Sequence, residues 1–334
     1  LEYVLSHSGV WCATGSQIID WYARQPLAVQ MAVVQQARTV MRTRTMMRMV
    51  VAISAARGAR VVAVVLAHVV LAARDQAKTA RAVERITRTT PDARLSTVPL
   101  DLGSLASVGE AAAAILPEVP RVDVLVNNAG VMGTPEGRTA DGFETQLGVD
   151  HLGHWALTAH LLPALLAAPA ARVVTVTSFA RLMGRPLDPA NPHLNGSYDP
   201  WRAYGQAKLA NYHFGLGLQD AFVRAGAAAS SLLAHPGMAH TELQPTTVRL
   251  GGAGGQARFW AWYARTVGMS PARAALPQLR AATDPSARGG EFFGPRFVTF
   301  GPAVRLRVLR RRNQEAIRTL WEVSQRETGL AIEP

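Results

Sequence analysis

A tyrosine and a lysine stand four residues apart in the stretch WRAYGQAKLANY, residues 201–212. On a helix, Tyr204 and Lys208 would lie on one face, because residues four apart are neighbours on the helix surface. A neutral phenol is a poor base at neutral pH, but an adjacent ammonium favours the phenolate and lowers its pKa. The pair could then donate or accept the proton exchanged between an alcohol and its carbonyl partner. The alternative is an exposed helical tyrosine and lysine that share this spacing by chance.

The use of lysine at position 208 argues against chance. Of the 35 basic residues in the chain, 33 are arginine, and only Lys78 and Lys208 are lysine. Arginine cannot replace lysine as a compact cation with a tunable pKa. The sequence therefore predicts that Lys208 has a chemical role.

Strands alternate with helices around this stretch. Apolar β-branched runs and helical periodicity predict strands at 61–73, 95–100, 122–126, 172–177 and 230–234, and helices at 76–88, 104–116, 143–167, 203–224 and 314–326. This alternation predicts βαβ units and a parallel sheet with helices on both faces. Ligands of such sheets bind outside the carboxyl ends of the strands, so we expect the chemistry there.

The composition is that of an ordinary globular protein. The chain has 334 residues, of which 49% are hydrophobic and 17% are charged, enough to form a sizeable core. Cys12 is the only cysteine, which excludes an intrachain disulfide and favours a reducing, intracellular setting. No apolar run reaches the length of a transmembrane helix, and no cleavable secretory signal is recognised. We expect a cytoplasmic protein.

The formal net charge of +12 raises the question of an anionic partner. The near-exclusive use of arginine indicates compositional bias, and no nucleic-acid-binding motif is present, so we predict no nucleic-acid partner. Residues 21–74 contain eight arginines and no acid, which is also typical of a targeting peptide or a membrane-surface helix. The aromatic run FWAWY at 259–263 could touch a membrane, but we favour a lid over a substrate cleft.

Seven segments along the chain carry a wider resemblance. They are LDLGSLASV at 100–108, VDVLVNNAGVM at 122–132, GVDHLGHWALT at 148–158, RVVTVTSFARLMGR at 172–185, AYGQAKLAN at 203–211, HPGMAHTEL at 235–243 and ARGGEFFGP at 287–295. In this order they resemble the short-chain dehydrogenase/reductase family, and within it the retinol-dehydrogenase-like branch. The resemblance implies a single-domain α/β fold with a Rossmann-like, doubly wound parallel sheet and helices on both faces. It also implies a nicotinamide cofactor, a small-molecule substrate and a possible homodimer.

The resemblance assigns catalytic roles to four residues. Ser178 would hydrogen-bond the substrate oxygen, Tyr204 would be the general acid/base, and Lys208 would hold the nicotinamide ribose and depress the pKa of Tyr204. Asp150 stands where the family has an asparagine that anchors a water in the proton relay. Its negative charge could pair with Lys208 and raise the pKa of Tyr204 again. We expect reduced rather than lost activity.

A second set of residues would bind the cofactor. Besides Tyr204 and Lys208, the resemblance implies Gly15, Arg74, Asp101, Leu102, Asn127, Asn128, Ala129, Gly130, Pro236, Gly237 and Thr241. Small residues in the turn at 127–130 permit close approach of the backbone to the cofactor. Arg74, after the second strand, resembles the arrangement that accepts a ribose 2′-phosphate. NADP(H) is therefore favoured, and NAD(H) remains possible.

The N-terminal stretch departs from the family pattern T-G-x-x-x-G-x-G. If Gly15 in WCATGSQIIDW were the first glycine, Ile19 and Trp21 would stand where small residues should meet the pyrophosphate. A second register places the first strand at 49–53 and the loop at 54–60, but leaves few residues for a first helix. We favour a replaced N-terminal segment, 1–48, with 49–60 as a remnant of the first helix. Residues 49–334 would form the domain, with a lid and C-terminal region at 236–300.

The function predicted from these features is NADP(H)-dependent interconversion of an alcohol and an aldehyde or ketone. The insertion between Ser178 and Tyr204 and the aromatic lid suggest a bulky, lipophilic substrate. The alternative is a non-catalytic or cofactor-impaired relative that serves as a binding or interaction protein. His151 and His154 have metal-ligand spacing but match the family's helix pattern, so we predict no metal site.

Overall fold

One mixed sheet organises the molecule. The computed structural model describes residues 48–52, 67–238, 269–308 and 314–334. Within these ranges eight strands pair in the order β3-β2-β1-β4-β5-β6-β7-β8. Their bounds are β1 Arg48–Ala52, β2 His68–Ala73, β3 Arg94–Pro99, β4 Val124–Asn127, β5 Arg172–Val176, β6 Ser230–Ala234, β7 Phe292–Pro295 and β8 Ala303–Leu306.

The strand order confirms the doubly wound parallel sheet. All pairs from β3 to β7 are parallel, and the order reverses at β1 and β4, which lie side by side. A crevice opens at such a reversal, and ligands of this architecture bind there. The carboxyl ends of β1 to β7 therefore point to one edge, which we call the carboxyl edge.

The first strand corrects the N-terminal interpretation. Residues 49–60 were expected to remain from a helix, but Arg48–Ala52 forms β1 and pairs with both β2 and β4. The strand therefore agrees with the second register, which began the strand at Met49. A position between two hydrogen-bonded neighbours at the centre of the sheet suits the apolar run MVVA better than a helix surface would. Residues 1–47 and 53–66 lie outside the described residues.

Eight helices, numbered along the described residues, connect these strands. They are α1 Gln76–Thr89, α2 Leu105–Glu118, α3 Thr145–Leu147, α4 Gly153–Leu166, α5 Pro200–Arg224, α6 Pro271–Ala274, α7 Leu276–Thr283 and α8 Gln314–Thr328. A π-helical turn, Gly148–Leu152, joins α3 to α4, and a 3₁₀ turn, Phe179–Leu182, follows β5. The predicted helices are present to within a few residues, although the turn at 148–152 was not anticipated.

Further elements of the sheet and its helical layer follow β6. Of residues 236–300, assigned from the sequence to a lid and C-terminal region, Leu276–Thr283 forms α7 and Phe292–Pro295 forms β7, and Ala281, Ala282 and Phe293 are buried in the core. Arg305 and Leu306 belong to β8, which pairs antiparallel with β7. Residues 239–268, which contain the aromatic run, lie outside the described residues.

Short polar side chains begin the helices near the carboxyl edge. Asp75 accepts from the Lys78 N–H of α1 at 2.9 Å, and Asp199 accepts from two N–H groups of α5, at 3.0 and 2.7 Å. Such caps satisfy donors that have no partner inside the helix. Pro200 at the first position of α5 adds a backbone angle suited to a helix start. These signals set where α5 begins and hence where Tyr204 lies.

Both faces of the sheet are buried. Val70 and Ala72 of β2 belong to the cluster that α2, α4, α5 and α8 cover, whereas Val69 and Leu71 face the cluster that includes α7 residues. Continuous apolar strands are typical of sheets covered on both sides. Among the helices in the described ranges, none is long and apolar enough to cross a membrane.

The C-terminal helix is joined to the centre of the molecule. The Trp155 and Trp321 rings meet edge to face, with centroids 4.9 Å apart. Trp155 Nε1 donates to the Leu330 carbonyl at 2.9 Å, and His151 Nε2 lies 2.8 Å from Ser324 Oγ. His151 and Trp155 lie close to Asp150 in the chain. The C-terminal segment therefore packs against the segment that positions the predicted site.

Candidate active site

Asp150 and Lys208 form a buried ion pair. Asp150 lies in the π-helical turn and has no exposed surface, and its Oδ2 is 2.9 Å from Lys208 Nζ on α5. The Val131 N–H donates to Asp150 Oδ1 at 2.7 Å. Both carboxylate oxygens are therefore engaged, one by the ammonium and one by the backbone of the loop that follows β4.

The ion pair shifts the pKa values of both partners. Burial raises the pKa of Asp150. Burial alone would lower the pKa of Lys208, but the charges of Asp150 and Tyr204 and the hydrogen bond to Asp150 together outweigh it, and the pKa of Lys208 is raised. Lys208 is therefore held as an ammonium, with only 7% of its side chain exposed.

Tyr204 lies next to this pair and is itself buried. The Lys208 ammonium is 5.6 Å from the centre of the Tyr204 ring, and the phenol is hydrogen-bonded to Ser178. Burial raises the pKa of Tyr204, Asp150 raises it further, and Lys208 and Ser178 only partly counter them. The phenol is thus the stable form at neutral pH. The structure brings Ser178, Tyr204, Lys208 and Asp150 together in one cluster.

Two residues that were given no role from the sequence fasten α5 to β5. Thr177 Oγ1 donates to the Lys208 carbonyl at 2.6 Å, and Asn211 Nδ2 donates to the Val176 carbonyl at 3.1 Å. Ser178 follows directly and accepts from the Ala180 N–H at 3.2 Å. Thr177 and Asn211 lie within the family-like segments 172–185 and 203–211. The Thr-Ser pair at the end of an apolar strand was the one feature in the sequence that could have indicated a role for Thr177.

The strand ends place the remaining predicted residues. Arg74 follows β2 and Asp101 follows β3, and their side chains form a solvent-exposed ion pair at 3.8 Å. Leu102 is buried, and its carbonyl lies where a side chain at Gly153 would be. Screening by water makes the exposed pair weak, so Arg74 is available to another anion.

The two asparagines after β4 have different surroundings. Asn127 is fully buried, and its Nδ2 donates to Thr158 Oγ1 at 3.0 Å. Asn128 is half-buried at the carboxyl edge. Asn127 therefore anchors the turn to α4, and Asn128 is the more exposed of the two.

Close packing explains two glycines of the site. A Cβ atom at Gly130 would lie 3.0 Å from both Asp150 Oδ1 and Lys208 Nζ. Gly237 has a φ of 74°, and a Cβ there would meet the Thr299 carbonyl at 2.6 Å. Ala129 is buried and Pro236 half-buried beside these glycines, whereas Gly15 and Thr241 lie outside the described residues.

The described part of the carboxyl edge fits a nicotinamide dinucleotide. An arginine after β2, a carboxylate after β3 and small residues after β4 line the edge in the order that such a cofactor requires. A Cβ at Gly130 would lie 3.0 Å from Lys208 Nζ, so only glycine keeps this turn clear of the buried ion pair. The segment between β1 and β2, where the pyrophosphate would lie, is outside the described residues.

The two histidines beside Asp150 are fully buried and hydrogen-bonded within the protein. Burial lowers the pKa of His151 to about 3 and that of His154 to about 4, so both imidazoles are neutral. His154 Nδ1 lies 2.9 Å from the Asp150 carbonyl oxygen. In the part of the chain that the structure describes, no three histidine, cysteine or acidic side chains are grouped to hold a metal ion.

Comparisons with known proteins decide the family. A family model described as short chain dehydrogenase matches residues 50–191. Polyprenol dehydrogenase of Mus musculus is 37% identical over 273 residues, which cover 78% of this chain and 76% of that protein. The chain belongs to the short-chain dehydrogenases. Retinol dehydrogenase 13 of Homo sapiens is 41% identical over 177 residues, 53% of each chain, so this alignment spans about half of that relative.

The solved structures agree with this assignment. The crystal structure of an uncharacterised protein from Mycobacterium paratuberculosis has a TM-score of 0.64 and 32% sequence identity, covering 86% of this chain and 95% of that one. The Rossmann-like fold and the retinol-dehydrogenase-like resemblance are both confirmed. The short-chain dehydrogenases are oxidoreductases of CH–OH groups, and this chain is one of them.

Proposed function

We propose that this short-chain dehydrogenase is an NADP(H)-dependent oxidoreductase that interconverts an alcohol and its aldehyde or ketone. The observation that carries the proposal is the buried Tyr204 phenol, hydrogen-bonded to Ser178 and 5.6 Å from the Lys208 ammonium. The phenol, a hydroxyl and a cation together suit proton transfer to an oxygen atom.

The chemistry divides between cofactor and side chains. A bound nicotinamide cofactor would supply or accept the hydride. Tyr204 would give its proton to a carbonyl oxygen during reduction, or take the proton of an alcohol during oxidation. Ser178 would hydrogen-bond the same oxygen as its charge develops. Lys208 would stabilise the phenolate that Tyr204 becomes after it donates its proton.

The raised pKa of Tyr204 supports reduction as the favoured direction. Burial keeps the phenol protonated, and the charge of Asp150 strengthens that preference. A protonated Tyr204 is the competent form for donating to a carbonyl, whereas oxidation needs the phenolate. We therefore expect carbonyl reduction to be faster at neutral pH, and alcohol oxidation to accelerate as the pH rises.

A lipophilic substrate is favoured by the surface beside Ser178. Five large apolar side chains are exposed where the 3₁₀ turn and the β7–β8 turn meet the carboxyl edge: Leu182, Met183, Phe297, Val298 and Phe300. The Phe179 ring contacts His235, and the Val298 carbonyl is 2.8 Å from His235 Nε2, so the two turns are neighbours. The two relatives named for retinol and polyprenol support the same substrate class.

The proposed preference for NADP(H) depends on Arg74. Its side chain is 72% exposed at the end of β2, and among the described residues its one ion pair is the weak contact with Asp101. Arg74→Ala should raise the KM for NADPH about tenfold and leave the KM for NADH nearly unchanged, because only NADPH carries the 2′-phosphate. Lys78→Ala removes a nearby cation on α1 and is the control. Equal effects on both cofactors would contradict the preference.

The Asp150–Lys208 pair favours a second candidate, a cofactor-impaired relative that binds ligands without turnover. Asp150 already binds the Lys208 ammonium, which would otherwise contact the nicotinamide ribose. Titration with NADPH, followed by fluorescence and thermal shift, separates the two candidates. Binding supports the oxidoreductase, and no binding at millimolar NADPH would leave the second candidate.

Substitution of Tyr204 tests the mechanism. With NADPH and retinal as probes, Tyr204→Phe should abolish turnover and leave NADPH affinity unchanged, because the ring remains and only the proton donor is lost. Tyr212→Phe, another buried tyrosine of α5, is the matched control and should retain turnover. Turnover by Tyr204→Phe at the wild-type rate would reject the assigned role.

A further inference from the structure

Gln146 occupies a buried junction between three segments of the site. It lies in α3, directly before the π-helical turn that holds Asp150, and has no exposed surface. Its Oε1 accepts from the Gly133 N–H at 2.7 Å, in the loop after β4. Its Nε2 donates to Tyr198 Oη at 3.0 Å and to the Pro200 carbonyl at 2.9 Å.

The Tyr198 hydroxyl completes the junction. It accepts from Gln146 Nε2 and donates to the Thr134 carbonyl at 2.8 Å. One proton on the hydroxyl and two on the amide nitrogen are thus all used, and no alternative arrangement satisfies the same partners. A fully satisfied buried network of this kind holds its members in a single geometry.

The bond to Pro200 reaches Tyr204 through one carbonyl group. Pro200 is the first residue of α5, and the preceding bond of the helix ladder runs from the Ala203 N–H to the Asp199 carbonyl. By the same helical pattern, the Pro200 carbonyl is the acceptor for the Tyr204 N–H. Gln146 therefore shares an acceptor with the backbone of Tyr204, at the helix end that would otherwise be free to fray.

We propose that Gln146 is a positioning residue that sets the Tyr204 hydroxyl relative to Ser178 by fixing the first turn of α5 to the loop after β4. The proposal rests on the proposed function, because the positioned group is the acid/base. It assigns a role to a residue that does not touch the substrate, the cofactor or the reacting atoms. Its loss should impair the chemical step more than the binding of NADPH.

The test compares Gln146→Met with Gln219→Met. Methionine has nearly the shape of glutamine but forms none of the hydrogen bonds. Gln219 is also buried and lies on α5, and it accepts from the Ser231 N–H at 2.8 Å, remote from the cluster. Gln146→Met should lower kcat for retinal about tenfold or more, because misplacing a catalytic group is costly. The KM for NADPH should change by less than about twofold. Gln219→Met should keep kcat.

Hydrogen exchange gives a readout that does not depend on turnover. In the chain without cofactor, Gln146→Met should accelerate amide exchange in residues 200–206, whereas Gln219→Met should not. Tyr198→Phe keeps the bond to Pro200 and should have the smaller effect on both readouts. If Gln146→Met does not fold, Gln146→Glu replaces it: in its ionised form it keeps an acceptor for the Gly133 N–H, cannot donate, and should show the same loss of kcat at a pH above its pKa.

The outcomes separate this proposal from the proposed function. Unchanged exchange at 200–206 and unchanged kcat in Gln146→Met would overturn the positioning role, as would an equal fall in kcat in Gln219→Met. A wild-type chain without turnover would instead count against the proposed function. Accelerated exchange in Gln146→Met would still support the fastening of α5 in that case.

Discussion

At the scale of single residues, Asp150 dominates the electrostatics of the site. It is fully buried, 2.9 Å from Lys208 Nζ, and it adds to the burial that raises the pKa of Tyr204. An asparagine could keep the hydrogen bond from the Val131 N–H, because its Oδ1 is also an acceptor. The charge of Asp150 can therefore be removed without disturbing the loop.

Asp150→Asn should shift the pH dependence of alcohol oxidation toward lower pH. Oxidation needs the Tyr204 phenolate, and removal of the neighbouring negative charge lowers the pKa of Tyr204. The rise in kcat/KM with pH should move to lower pH, with several-fold more activity at pH 7.5. Steady-state rates from pH 6 to 10 measure this. A profile that stays in place would show that Asp150 does not control Tyr204.

Sequence reasoning predicted this cluster well and its surroundings less well. Tyr204, Lys208 and Ser178 belong to linear motifs, and the family resemblance placed Asp150 near Lys208, where its charge could pair with the ammonium. Gln146 was missed because its role depends on the Tyr198 hydroxyl and the Pro200 carbonyl, both more than fifty residues away. No local pattern distinguishes a glutamine with such partners from one on a helix surface.

At the scale of elements, the start of α3 depends on a buried glutamate. Glu144 precedes α3 and accepts from the Gln146 and Leu147 N–H groups at 2.8 and 2.7 Å. Burial raises its pKa to about 7 in spite of these two bonds. The folded state thus binds the proton of Glu144 more tightly than the unfolded state, where the ordinary value is 4.5.

Glu144→Gln should remove a pH dependence of stability. The contribution of Glu144 is fully present below pH 4.5 and is lost as the pH rises through about 7, a change of about 3 kcal/mol at most. Urea unfolding at several pH values measures the slope, which should flatten between these limits in the variant.

Glu327→Gln is the control of opposite sign. Hydrogen bonds from Arg326 and His193 outweigh burial and lower the pKa of Glu327, so its stabilising contribution is lost below pH 4.5. An unchanged slope in Glu144→Gln would show that another group titrates.

The elements that sequence reasoning misplaced share a physical cause. Helix α1 has 14 residues with an amphipathic period, and β2 has an unbroken apolar run, VVLAA, so their patterns identified them. β1 and β8 have four or five residues, and their apolar pattern also fits a helix fragment or a loop. The identity of β1 depends on pairing with the distant β4, and that of β8 depends on pairing with the strand just before it, β7. Local propensity cannot report such pairing.

At the scale of the whole molecule, α8 holds the two halves of the helical layer together. A Cβ atom at Gly217 of α5 would overlap the Trp321 ring of α8 and lie 2.8 Å from Ile317 Cγ2. The Trp321 ring also contacts Trp155 of α4. Glycine at 217 is therefore required for the close approach of α5 and α8.

Gly217→Ala should destabilise the fold by about 1–3 kcal/mol, because the added methyl group has no room. Gly109→Ala on α2 is the matched control. A Cβ there would meet only His160 Nε2, at 3.8 Å, so it should stabilise the helix by about 0.5–1 kcal/mol. Urea denaturation followed by circular dichroism measures both. Equal effects would mean that α5 and α8 adjust their separation without cost.

The attachment of the C-terminal segment also sets the order in which the molecule can fold. His151 and Ser324 are 173 residues apart in the chain, and Trp155 and Leu330 are 175 apart. Contacts of such long range are slow to form, because the intervening chain must close a large loop. During synthesis, the segment that bears Asp150 would leave the ribosome long before Ser324 and Leu330. Until then the His151 imidazole and the Trp155 indole would lack these hydrogen-bond partners. Assembly of the catalytic cluster is therefore expected among the last steps of folding.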